Sequence, residues 1–281
     1  MRYRTTLRVG PVGFRIGSDW RGPIAAVEAL YRDYPRAEFA DFSVRLEAGQ
    51  PWRRWLRPSI HIGGDYRLPE AAPLPLAQGL LAAELGMNLQ MALGHRRHVL
   101  LHASVVARGD RAIVMSGISG AGKSTLALLL AERGWRFMGD EFALIDPASG
   151  LAFPFPRPVS LKNESLAAIP AGRVTGPLLS GTPKGDIRHV APDPAAIAAM
   201  DEPARPALLL FPRFGFPSAI RPLPPAECFV RLTQASTNYV AMGEPGFRAL
   251  TRLRAEVPAV AVDYPDGEAG IAAVEALWVA L

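Results

Sequence analysis

Cysteine is all but missing. Cys228 stands alone among 281 residues, which excludes an internal disulfide and a cysteine-built structural zinc site and fits a reducing compartment. Lysine is nearly as scarce: of 31 basic residues, Lys123, Lys162 and Lys184 are the only lysines and the other 28 are arginines. A chain that fills most positive positions with arginine keeps lysine where a compact ammonium is needed rather than a planar fork. No run approaches ~18 uncharged apolar residues. The opening MRYRTTLRVGPVGFRIG has charges every few residues and no signal-peptide core, so a cytoplasmic location without a membrane span is expected. Low-complexity tracts, internal repeats and long charge runs are absent as well. The net charge of +5 lies on scattered arginines such as Arg53, Arg54, Arg96, Arg97 and Arg252. No basic stripe is interleaved with aromatics, which argues against nucleic acid as a partner.

What is present is a folded α/β pattern, with 49% hydrophobic and 20% charged residues, enough apolar material for a sizeable core. Alternation in YRTTLRV, VGFRIG and EFADFSVRLEAG predicts strands around a helix from about Ile24 to Tyr34, with SIHIGG and YRLPE as a further hairpin. The helical spacing of LAQGLLAAELGMNLQMAL predicts a helix ending at Gly94. HVLLHASVVARGDRAIVMSG reads as two strands joined at Arg108-Gly109-Asp110, followed by a glycine loop, a helix from Ser124 to Arg133 and a strand through WRFMGDEFALID. Further helices are expected near Asn163 to Ile169, Ala226 to Asn238 and Pro245 to Glu256, and from Gly267 to the end. The expected division is a smaller N-terminal α+β module over residues 1–95 and an α/β domain containing the glycine loop over 96–281.

The loop Gly117-Ile-Ser-Gly-Ala-Gly122-Lys123-Ser124 satisfies G-x-x-x-x-G-K-[ST] in the strand–loop–helix context that this motif requires. Glycines let backbone N–H groups converge on phosphate oxygens, and the helix that follows offers its positive end. Gly117, Ser119, Gly120, Ala121, Gly122, Lys123, Ser124 and Thr125 are therefore the candidate nucleotide-binding residues. Lys123 neutralises the terminal phosphates, Ser124 holds Mg²⁺, and Thr125 supports the loop. Asp140 and Glu141 follow sixteen residues after Ser124. Neighbours in a strand face opposite ways, so both reach one site only if the strand ends there, which Gly139 permits. One carboxylate would complete the Mg²⁺ shell and the other would accept the proton of an attacking hydroxyl.

The combination of a His-containing strand, GxSGxGKS, LxxRGW and an acidic pair resembles the core of the HPr kinase/phosphorylase group, whose P-loop is similar to that of ATP-dependent phosphoenolpyruvate carboxykinase. Through LHASVVARGDRAIVMSGISGAGKSTL, RGWRFMGDEFALI, FPRPVSLKNES, TPKGDIRHVAP and DEPARPALLLFPR the chain resembles the HprK-related kinase A family over most of its length. The resemblance implies a P-loop α/β core with a mixed sheet, ATP and Mg²⁺ as cofactors, and a kinase acting on a hydroxyl of a protein serine or small molecule. It also makes Asp140 the base, His102 its neighbouring histidine, and Glu141 the occupant of a second aspartate position. Enzymes of this kind often assemble as homo-oligomers. The glycine-rich C-terminal signature of true HPr kinases is missing, so HPr itself is not implied as the acceptor. GTPKGDIRH reads as a lid bringing Lys184 or Arg188 over the transferred phosphate, and Lys162 as a further phosphate contact. The other reading, a nucleotide-controlled binding module with slow hydrolysis, would need a P-loop with no room for an acceptor.

Overall fold

The computed structural model describes residues 1–281, which divide into two compact units: residues 1–95 with 160–191, and residues 96–159 with 192–281. In the first unit β1 (Tyr3–Val9) and β2 (Val12–Ser18) form a hairpin around Gly10, whose φ of +51° suits the turn. Helix α1 (Arg21–Leu30) crosses over so that β3 (Phe42–Ala48) runs parallel to β2, and β4 (Ser59–Gly64) and β5 (Leu74–Pro75) complete a five-stranded sheet in sequential order. Leu7, Val9, Phe14, Ile16, Val44 and Leu46 are buried at alternating positions, and α2 (Gly79–Gly94) packs on β3 and β4. The expected pairing of SIHIGG with YRLPE does not form. Pro69 cannot donate to a ladder, and Leu74–Pro75 pairs with Ser59 and Ile60 instead.

The second unit begins with β6 (Val99–Leu101), β7 (Ala103–Arg108) and β8 (Arg111–Ser116). The two strands expected here are three because the chain changes sheets at His102: β6 pairs with a later strand, β7 with β8. After α3 (Lys123–Ala131) come β9 (Arg136–Gly139), β10 (Ala143–Ile145) and β11 (Ala152–Phe153). The single strand expected through WRFMGDEFALID is thus broken at residues 140–142.

Residues 160–191 return to the first unit, although the sequence reading assigned them to the domain containing the glycine loop. They carry most of β12 (Val159–Lys162) with β13 (Leu179–Thr182) and β14 (Gly185–Val190), a separate three-stranded sheet. Leu179 and Ile187 share a small buried cluster with Leu81 of α2, which gives the segment its packing partner. The stretch read as a lid is a tight β13–β14 turn, with Gly185 at φ +83° and the Asn163 amide bridging the Lys184 carbonyl and the Asp186 N–H.

The second unit resumes with α4 (Pro194–Ala198), β15 (Arg205–Phe214), β16 (Ala219–Pro222), α5 (Pro225–Ala235), α6 (Tyr239–Met242), α7 (Glu244–Glu256), β17 (Ala259–Tyr264) and α8 (Gly267–Val279). Its main sheet is mixed, in the order β16-β17-β15-β8-β7-β9. Strands β17, β15 and β8 are parallel, while β16, β7 and β9 are each antiparallel to the neighbour they follow from that core. Strands β8, β9, β15 and β17 consequently share a direction. Their C-terminal ends, Ser116, Gly139, Phe214 and Tyr264, come out at one edge, where α/β sheets bind ligands. One face buries Val105, Val114, Leu209 and Phe211 against Leu232 of α5 and Leu250 and Leu253 of α7, and α3 and α8 pack together on the other. No helix is long and apolar enough to cross a membrane.

Candidate active site

Strand β8 is buried along nearly its whole length, and at Ser116 it delivers the chain into the glycine loop. Gly120 and Gly122 have φ of +83° and +91°. Left-handed residues in such a loop turn backbone N–H groups toward one side and make a concavity for anions. Ile118, Ser119 and Gly120 form an exposed crest, and the Ala121 carbonyl accepts from the Phe214 N–H at 3.3 Å, tying the loop to the end of β15. Helix α3 starts at Lys123 with Gly122 as its N-cap, adding its positive end to the concavity. Gly122 is required for two reasons. A Cβ there would lie 2.4 Å from the Tyr264 hydroxyl and 3.0 Å from the Phe214 Cβ, and the left-handed backbone disfavours any side chain.

Lys123 is buried, and its ammonium donates to the carbonyls of Gly117 at 2.8 Å and Ile118 at 3.0 Å. Ser124, in the first helical turn, donates from Oγ to Asp140 Oδ1 at 3.0 Å. The Ser104 hydroxyl of β7 donates to the same oxygen. Asp140 is only 3% exposed. Its pKa is held above the ordinary carboxylate value mainly by burial and then by the charge of Glu141, against the lowering effect of the Ser104 and Ser124 hydrogen bonds and of Lys123.

The break in the strand brings the two carboxylates together. Gly139 ends β9 where the backbone of Phe155 crosses so closely that a Cβ would stand 2.7 Å from the Phe155 carbonyl oxygen. Glu141 takes φ +70°, unusual for a residue with a side chain and costing about 1–2 kcal/mol. Its Oε2 lies 3.6 Å from His102 Nδ1, and His102 is anchored through its backbone to the Ala235 carbonyl and the Ser116 hydroxyl. The loop residues 117–125, Asp140, Glu141 and His102 therefore gather at one sheet edge, whereas Lys162, Lys184 and Arg188 belong to the other unit.

Nowhere do three His, Cys, Asp or Glu side chains converge as a metal-holding group. The oxygen donors at this edge, the Ser124 hydroxyl with the Asp140 and Glu141 carboxylates, suit Mg²⁺, which takes few protein ligands and completes its shell with phosphates and water.

The sequence reading missed three features. Ser104 is legible only as a polar residue in the apolar strand ASVVA. Tyr264 is 2% exposed, and its hydroxyl has no hydrogen-bond partner while it abuts Gly122; nothing in its local sequence signals that. The third is a cleft of about 1250 Å³ running from His102 past residues 116–121 to Arg213, Phe216 and Arg221.

No family profile matches the chain and no curated protein sequence matches it. Among solved structures, the Hpr(Ser) kinase/phosphatase from Coxiella burnetii is similar at 13% identity and a TM-score of 0.25, over 61% of this chain and 89% of that one. A likeness of that size assigns no activity to this chain.

Two outcomes follow from the geometry. Gly122→Ala will lower the unfolding midpoint, by about 1 kcal/mol or more from the left-handed backbone alone, as read by denaturant titration. For Asp140, a folded pKa raised above the unfolded value means stability that is present at low pH and lost as pH rises through the folded pKa. Unliganded Asp140→Asn will therefore gain stability relative to the wild type as the pH rises above the ordinary carboxylate value of 3.8, and the difference will shrink as the pH falls toward it. Thermal unfolding across that range measures it.

Proposed function

We propose that this chain is an HPr kinase-like phosphotransferase that moves the γ-phosphoryl group of ATP, with Mg²⁺, onto a hydroxyl of a protein serine or a small-molecule acceptor. One observation carries the reading: a buried carboxylate, Asp140, is hydrogen-bonded to the serine that directly follows the loop lysine. A hydroxyl and a carboxylate meeting at the mouth of an anion concavity are what a metal–triphosphate complex needs from the protein.

The residues divide the work as follows. Backbone N–H groups of residues 117–124 bind the phosphates, and the Lys123 ammonium exchanges its two loop carbonyls for the terminal phosphate oxygens on a flexible stem. Ser124 and Glu141 would hold the metal, which would supply charge neutralisation to the phosphates. Asp140, its pKa raised by burial beside Glu141, accepts the acceptor's proton as the acceptor oxygen bonds to phosphorus and the bond from phosphorus to the β-phosphate oxygen breaks, releasing ADP. Ser104 fixes the orientation of Asp140, and His102 fixes that of Glu141. Catalysis on this account is positioning and charge neutralisation. A reducing, cytoplasmic setting belongs to the same reading and fits the buried, unpaired Cys228.

The alternative, a nucleotide-controlled binding module that hydrolyses slowly, calls for a phosphate loop without acceptor space. The cleft beside His102 and the loop supports transfer instead.

Purified protein incubated with γ-labelled ATP, Mg²⁺ and host lysate will label an acceptor through an acid-stable phosphoester. Lys123→Ala will weaken ATP binding in calorimetry by roughly 30-fold or more, and Asp140→Asn will slow transfer by roughly 100-fold or more. Transfer by Asp140→Asn at the wild-type rate would remove the proposed base.

A further inference from the structure

The cleft is larger than the roughly 300–1,000 Å³ that a single small ligand usually fills, and its two ends differ in chemistry. One end holds His102, beside Glu141. The other is formed by Phe214, Arg213 and Asp263 at the ends of β15 and β17, with Phe216, Arg221 and the first turns of α5.

Strand order decides which end receives which part of a nucleotide. Asp140 and Glu141 follow β9, on one side of β8, while β15 and β17 lie on the other. If the transferred phosphate sits at Ser124 and Asp140, the rest of the nucleotide must leave the loop away from the two carboxylates, which repel the remaining phosphates. That path crosses Ala121 and meets β15, where the Phe214 N–H is bonded to the Ala121 carbonyl. The side chains it meets are Phe214 and Phe216, 48% and 43% exposed and so presenting uncovered ring area.

The Arg213 guanidinium lies over the Phe216 ring, 3.9 Å from its centroid. It is held there by two hydrogen bonds to Asp263 at 2.9 and 2.5 Å. Arg221 is paired with Glu227 through two bonds of 3.1 Å, and Arg231 shares that carboxylate. Each of these guanidiniums is thus already engaged, Arg213 by Asp263 and both Arg221 and Arg231 by the shared Glu227, which leaves one net positive charge at this end of the cleft. A flat heteroaromatic ring suits it well: the exposed Phe216 ring and the Arg213 cation over it offer a stacking and cation–π shelf, and the lone pairs that Asp263 does not use for Arg213 can accept from ribose hydroxyls or ring amines.

We propose that this end of the cleft is the nucleoside subsite, with the base stacked on the Phe216–Arg213 shelf and the His102 end left to the acceptor. The inference rests on the phosphate-transfer reading, and inorganic tripolyphosphate separates the two because it has phosphates and no base. With Mg²⁺ present, calorimetry will show that Phe216→Ala weakens ATP binding by about tenfold while tripolyphosphate binds as it does to the wild type. Phe216→Trp will retain the wild-type affinity for ATP. Phe216 lies in an exposed turn, so thermal unfolding of both variants will match the wild type. Unchanged ATP binding by Phe216→Ala, with tripolyphosphate still bound, overturns the subsite and leaves the phosphate reading standing. A rise confined to the acceptor KM assigns the shelf to the acceptor and overturns it as well. If the wild type binds neither ATP nor tripolyphosphate, the phosphate reading falls and the subsite falls with it.

Discussion

A carboxylate out of water is the constraint around which this edge of the sheet is built. Asp140 is buried beside Glu141, and an ionised pair in that position is costly unless hydrogen bonds or cations compensate. Ser104 and Ser124 supply the hydrogen bonds, and Lys123 supplies a nearby positive charge. Ser104 comes from β7, Ser124 from α3 and Asp140 from the end of β9, so the arrangement exists only if all three elements reach the same edge in register. The antiparallel β9–β7–β8 ladder brings that about, because β9 and β8 then share a direction and end at the same sheet edge on either side of β7.

The neighbouring backbone is arranged for the same end. Phe155 crosses Gly139 too closely for a side chain, the strand stops, and Glu141 turns through a left-handed conformation that brings its carboxylate toward His102. On the other side of β8, Phe214 and Tyr264 press against Gly122 and hold the loop against the ends of β15 and β17. Two carboxylates on one flank and two aromatic rings on the other give the loop an acidic and an aromatic side. On the proposed reading, that polarity leaves the His102 end of the cleft to the acceptor and the aromatic end to the nucleoside.

Much of this was legible in the sequence because it depends on local chemistry. The glycines and the scarce lysine of GISGAGKS required a backbone concavity and a compact ammonium, and the chain does turn left-handed at Gly120 and Gly122 and start a helix at Lys123. Gly139 before the acidic pair hinted at a strand end, and the strand ends there, although the physical reason is the crossing of Phe155, sixteen residues further on, which no local pattern reports. The sheet change at His102, the packing of residues 160–191 with α2, the bond from Ser104 to Asp140 and the orphan hydroxyl of Tyr264 were not legible either. Each depends on partners distant in the chain. The GTPKGDIRH stretch was ambiguous for a related reason: glycines flanking a lysine suit a lid and a tight hairpin turn equally well, and the turn is held by Asn163, from a separate element.

If Asp140 holds its proton more tightly than an ordinary carboxylate because it is buried beside Glu141, and if a metal–triphosphate complex must take it ionised, then binding has to expel that proton. The most direct measurement is calorimetry of Mg²⁺–ATP binding over a pH series that starts in the ordinary carboxylate range, in buffers of different ionisation enthalpy, on the wild type and on Asp140→Asn. The account predicts net proton release by the wild type that diminishes as the pH rises and is missing from Asp140→Asn. Equal proton exchange by the two proteins would contradict it.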